Sequence, residues 1–185
     1  MAIKPIYVQA GDTFFTRSNS LLGMAIRLAE RDPGEEAVWA NHTGVVVESG
    51  WIGGNTFPQA VVVEALWKTR KGPLKVNGIE VRVFGPAGKL SAKELALFRS
   101  EADKYVGDTY GWWKLGFHLI DRLAFKGKKV VSRLLFLDKR PICSYLAAKV
   151  NASVDLFFGM LPEVATPDEM VDFCETNPDY WVERV

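Results

Sequence analysis

Apolar and polar positions repeat along this chain with two periods, and each period marks a different kind of element. Ile79–Phe84 sets Ile79, Val81 and Val83 against Glu80 and Arg82, the two-residue period of a strand with one wet face. Thr43–Glu48 and Ala60–Leu66 are Val-rich runs separated by Gly50, Gly53, Gly54 and Pro58, and they predict two strands joined through a turn. With no helix between them, the three strands are expected to form an antiparallel meander. Tyr7-Val8-Gln9 and Thr13–Thr16 read as extended about a turn at Gly11, and Tyr180–Arg184 reads as a last strand.

The helical period appears elsewhere. Leu22, Ile26 and Ala29 share one face of a helix over Leu21–Arg31, capped by Ser18 or Ser20 and stopped by Asp32-Pro33-Gly34. Ser91-Ala92-Lys93-Glu94 is a capping box opening a helix with Leu95, Phe98, Ala102 and Tyr105 at core spacing, ended by Gly107-Asp108. Thr166-Pro167-Asp168-Glu169 is a second capping box, for a helix to about Glu175. Between them, Ile142, Leu146 and Val150 recur every four residues around Ala147 and Ala148, just after Pro141. Tyr110–Leu137 interleaves Trp112, Trp113, Phe117 and Ile120 with Lys114, Arg122 and the basic turn Lys126–Lys129. It reads as an amphipathic helix packed on the core, or else as a lid or lipid-facing surface beside a site.

Composition narrows the class. A chain of 185 residues with 48% hydrophobic content suits one domain spanning 1–185. Lys plus Arg is 23 against 22 for Asp plus Glu, so the net charge of +1 offers nucleic acid no electrostatic footing. The first residues carry no signal-peptide run, and no stretch reaches the roughly 18 apolar residues of a membrane span. The expectation is a cytoplasmic protein without stable membrane insertion; its oligomeric state has no signature. Two cysteines, Cys143 and Cys174, make neither a disulfide framework nor a Cys-rich zinc site, and no residue pattern asks for a metal or another cofactor.

Cys143 falls in the first turn of its helix, where unpaired N–H groups and the positive end of the helix dipole favour a thiolate. A buried packing role is the alternative. Of the two histidines, His118 lies among aromatic residues of the Tyr110–Leu137 section, whereas His42 stands at the mouth of a Val-rich strand. A hairpin turning at Gly53 sets His42 opposite Glu64, close enough for a carboxylate to fix an imidazole. Glu64 is an acid inside Val61-Val62-Val63-Glu64-Ala65-Leu66, and needs a partner or an open face. Asn41 points to the opposite face from His42, and Glu48 lies about 20 Å along the strand.

The order Gly11-Asp12-Thr13-Phe14-Phe15-Thr16, helix, His42-Thr43-Gly44-Val45-Val46-Val47, Val63-Glu64-Ala65 and Ile142-Cys143-Ser144-Tyr145-Leu146 resembles the circularly permuted NlpC-type cysteine hydrolases. These papain-like proteins include the YiiX/YaeF-like group and lecithin:retinol acyltransferase, and the likeness runs from about Tyr7 to Val150. It implies an α+β, papain-like fold, with an antiparallel, partly closed sheet packed against helices. It implies Cys143 as nucleophile, His42 as base and Glu64 as orienting group. Tyr110 and Asp12 become candidates for substrate or oxyanion contacts, although Asp12 reads equally as a turn residue after Gly11. The implied reaction is thiol-dependent cleavage of an amide in a peptide, with a cell-wall (peptidoglycan) stem peptide as the expected partner. A lipid acyltransferase or thioesterase is the first alternative, and a non-catalytic module of the same fold is the second.

Overall fold

The computed structural model describes residues 4–20, 23–24, 26–27, 38–54, 58–76, 78–109, 111 and 142–184. Most of the Leu21–Arg31 helix, Tyr110, His118, Pro141 and all but Gly111 of the Tyr110–Leu137 section lie outside them.

Eight strands are described: β1 (Ile6–Val8), β2 (Thr13–Arg17), β3 (His42–Glu48), β4 (Gly50–Ile52), β5 (Val61–Ala65), β6 (Thr69–Pro73), β7 (Glu80–Pro86) and β8 (Trp181–Glu183). Three α-helices accompany them: α1 (Ala92–Asp103), α2 (Cys143–Ala152) and α3 (Pro167–Thr176). The main sheet has the order β6-β5-β3-β2-β7-β8, with every pair antiparallel. β1 and β4 form a separate two-stranded ribbon. The result is a mixed α+β fold.

The expected meander is therefore corrected. The strand over Ile79–Phe84 does not follow β5 but crosses to the far side of β2, which pairs with β3 on one side and β7 on the other. β5 instead takes β6 as its outer neighbour. β6 and β8 are the edges of the sheet and do not pair with each other among the described residues.

The Val-rich strands have both faces covered. Phe15, Val45, Val47, Val63 and Ala65 pack with Phe98 and Ala102 of α1, Leu146, Ala147 and Val150 of α2, and Met170 and Val171 of α3. Phe14, Val46, Val62 and Val83 face the other way, onto Val8 and Ile52 of the ribbon and onto Leu74. Burial on two sides explains runs of Val in place of strict alternation.

Local chemistry sets the ends of the elements. Gly11, at φ 98°, turns the chain between β1 and β2, a left-handed conformation that glycine takes without strain. Both capping boxes form: Ser91 with Glu94 on α1, and Thr166 with Glu169 on α3. α2 differs. Its N-cap is Ile142, and no side chain caps it, so the first-turn N–H groups have no side-chain acceptor from that position. α2 packs on β3 and β5. Asn151 near its end donates to Thr13 Oγ1 at 2.9 Å, tying the helix to β2.

Candidate functional site

Four elements converge on one line of side chains. His42 is the first residue of β3, Glu64 lies on β5, Arg70 on β6, and Cys143 opens α2. His42 Nε2 and Glu64 Oε2 are 2.7 Å apart. The imidazole also makes a side-chain hydrogen bond with Cys143; with Nε2 engaged by Glu64, Nδ1 is the ring nitrogen left for the sulfur. Glu64 is only 2% exposed, and its second oxygen, Oε1, accepts from Arg70 Nε at 2.9 Å and from Arg70 Nη2.

The register that achieves this is not the expected one. Glu64 lies opposite Gly44, and Val63 opposite Val45, so the hairpin is centred on Gly54 instead of Gly53. A bulge between Val46 and Glu48 absorbs the extra residue. His42 thus meets Glu64 diagonally. A two-residue change of partner keeps both side chains on one face, which a one-residue slip would not.

Gly44 leaves room for Phe14 beside this pair. Phe14 also lies opposite Gly44, and a Cβ there would come within 2.6 Å of Phe14 Cζ and 2.7 Å of the Val63 carbonyl oxygen. The Phe14 ring fills that space instead, its centroid 6.2 Å from that of His42. The backbone before His42 is pinned as well. Asp168 Oδ1 accepts the N–H groups of Trp39 and Ala40 at 2.6 and 2.9 Å. Asn41 exchanges hydrogen bonds with the Ser18 backbone through both ends of its amide.

The electrostatics follow from these contacts. Burial works against a charged His42, but hydrogen bonds and charge attraction from Cys143 and Glu64 win, and its pKa is pushed up to about 10. Burial likewise opposes ionised Glu64, yet His42 and Arg70 together hold its pKa below the ordinary carboxylate value. The line Cys143–His42–Glu64 is therefore suited to a thiolate beside an imidazolium. An open cleft of about 210 Å³ adjoins His42, its wall formed by Thr16, Asn41, Ile26, Ala65, Leu66 and Trp67 among others.

Of the residues singled out in the sequence, His42, Glu64 and Cys143 come together. Asp12 does not join them. It lies four residues from Thr16, the partner of His42 in the β2–β3 ladder, or about 13 Å along the strand. Its buried carboxylate accepts from the Gln9 N–H at 2.8 Å and from Arg184 Nη2 at 2.9 Å, so it serves the turn and an ion pair. Arg70 was not anticipated. Thr69-Arg70-Lys71-Gly72-Pro73 carries no apolar alternation, and its only clue was an acid six residues upstream in need of a cation. Cys174 is buried in α3, which raises its pKa strongly.

No family model and no curated protein matches the sequence. Among solved structures, the chain is similar to the metalloprotein YiiX from Escherichia coli, with a TM-score of 0.51 and 23% identity over 80% of this chain. The match spans 66% of the YiiX chain. What the two share is a YiiX-like arrangement of antiparallel strands and helices.

Proposed function

We propose that this protein is a thiol-dependent hydrolase of circularly permuted papain-like type, cleaving an amide bond in a peptide. The observation that carries the reading is the hydrogen-bonded line from Cys143 through His42 to buried Glu64. Cys143, as thiolate, attacks the carbonyl carbon; His42, protonated, gives its proton to the leaving amine. A water then attacks the thioester, passing a proton to His42, and the released sulfur returns to the thiolate. Glu64 keeps the ring oriented and offsets its charge. The N–H groups at the start of α2, which Ile142 leaves without a side-chain cap, would serve as donors to the developing oxyanion.

YiiX is described as a metalloprotein. Among the described residues here, no three His, Cys, Asp or Glu side chains are grouped to hold a metal ion, and Arg70 already occupies one Glu64 oxygen. The described residues do not fit a metal, and the steps above use protein groups alone.

A second reading, transfer or hydrolysis of an acyl ester or thioester, draws on the cleft beside His42. Ile26, Ala65, Leu66 and Trp67 give it an apolar wall, and Trp67 is 77% exposed. Paired peptide-amide and acyl-ester activity probes, applied to wild type and Cys143→Ala, separate the two. Labelling by the amide probe that is lost in Cys143→Ala supports amide hydrolysis. Labelling by the ester probe alone supports the second reading, and equal labelling of Cys143→Ala refutes both.

A further inference from the structure

Glu64 divides its two oxygens between two strands. Oε2 meets His42 from β3, and Oε1 takes two N–H groups of Arg70 from β6. Arg70 stands directly opposite Glu64 in the β5–β6 ladder. We propose that Arg70 is a positioning residue of the Cys143 site: by holding Oε1 it fixes Oε2 as the one acceptor presented to His42. The inference rests on the thiol-hydrolase reading and adds a fourth residue to it.

The chemistry follows from what each group can donate. A guanidinium has only donors, so whichever atom faces Arg70 must be an acceptor. With a carboxylate on Glu64, both ends accept, and His42 finds an acceptor for its Nε2–H. That leaves Nδ1 free to exchange a proton with the sulfur. An amide at position 64 breaks this symmetry. Its oxygen turns to Arg70, and its NH₂ then confronts Nε2. Nε2 is forced to accept, the ring proton moves to Nδ1, and Nδ1 can no longer take the thiol proton. Once Arg70 is removed, the amide is free to turn and offer its oxygen to His42. Arg70 thus helps the native site and harms the amide variant.

The charged and titratable groups bearing on Glu64 among the described residues are His42 and Arg70, and those bearing on His42 are Cys143 and Glu64. Arg70→Met removes the only fixed cation of this set. Glu64 is then easier to protonate, and the acid limb of Cys143 reactivity moves to higher pH.

The test is the rate of Cys143 alkylation by iodoacetamide at pH 6, read by mass spectrometry in folded protein checked by circular dichroism. It compares wild type, Arg70→Met, Glu64→Gln and the double variant. Arg70→Met is expected to slow the reaction by about 10-fold, the scale of a hydrogen bond to a charged group, and to raise the acid limb. Glu64→Gln should be slower still, and the double variant several-fold faster than Glu64→Gln alone. The proposal is overturned if Arg70→Met slows Glu64→Gln by the same factor as it slows wild type. It is equally overturned if Arg70→Met changes neither rate nor acid limb. Should Arg70→Met not fold, Arg70→Lys keeps the charge without the paired donors and is expected to fall between wild type and Glu64→Gln. Wild-type Cys143 reacting no faster than Cys174 refutes the nucleophile reading itself, an outcome distinct from either failure of Arg70.

Discussion

Replacing His42 by Ala should turn Cys143 from a thiol that reacts evenly across the neutral range into an ordinary one. The imidazole stays protonated up to about pH 10, partly because the sulfur holds it there by hydrogen bond and charge. Attraction between two titrating groups is mutual, so the imidazolium favours the thiolate as the thiolate favours the imidazolium. If that attraction holds the sulfur as a thiolate, the alkylation rate should vary by less than about 3-fold between pH 6 and 9. An unassisted thiol with a pKa of about 8.5 is ionised to roughly 0.3% at pH 6 and roughly 75% at pH 9, a rise on the order of 200-fold. His42→Ala is therefore expected to steepen the ratio of rates at pH 9 and pH 6 from near unity to that order. The ratio cancels any change in access to the sulfur, which affects both rates alike. The assay is timed iodoacetamide labelling of the Cys143 peptide in wild type and variant. The sign of the basic limb follows from the same shift: a raised His42 pKa keeps the general acid protonated through neutral pH. Turnover should fall only as pH passes about 10. A steep wild-type profile, or a flat one in His42→Ala, refutes the ion pair.

Cys174, buried and with its thiolate disfavoured, should label much more slowly than Cys143 at pH 7; peptide mapping after brief iodoacetamide treatment decides this. Gly44→Ala drives a Cβ into the Phe14 ring and the Val63 carbonyl, and should cost about 1–3 kcal/mol by urea denaturation. It should also slow Cys143 alkylation, because Phe14 adjoins His42. Asp12→Ala leaves Arg184 and the Gln9 N–H without their acceptor, at a cost of about 2 kcal/mol. Its Cys143 pH profile should match wild type, and a changed profile would return Asp12 to the site.

Much of the site was legible because face and helix position are local properties. Cys143 at the first turn of α2 follows from Pro141 and the four-residue spacing of Ile142, Leu146 and Val150. The pairing of His42 with Glu64 survived an error in register because both the expected and the observed partner positions lie on one face of the sheet. Strand order was not legible in the same way. Nothing local in Ile79–Phe84 says that its neighbours are Thr13–Arg17 and Trp181–Glu183, far apart in the chain. A strand covered on both faces shows a run of Val from which only local extension can be inferred. Arg70 was hidden for a related reason: β6 is an edge strand with Gly72 and Pro73, and edge strands need no apolar alternation. Asp168 was legible only as a member of a capping-box motif, although its Oδ1 accepts from the backbone N–H groups of Trp39 and Ala40.

The hydrogen bond between Cys143 and His42 joins a helix to a strand, so it exists only in the folded chain. That reverses the usual meaning of thiol labelling. A cysteine is ordinarily silent while packed and reacts when the protein opens, and Cys174 should behave that way. On the thiol-hydrolase reading, Cys143 should by contrast react fastest at pH 6 in the native protein and become an ordinary thiol once α2 leaves β3. Two thiols of one molecule then count opposite populations, one the native molecules and the other the opened ones. Labelled together in a denaturant titration, they report from within a single chain whether the site comes apart before the α3 core does.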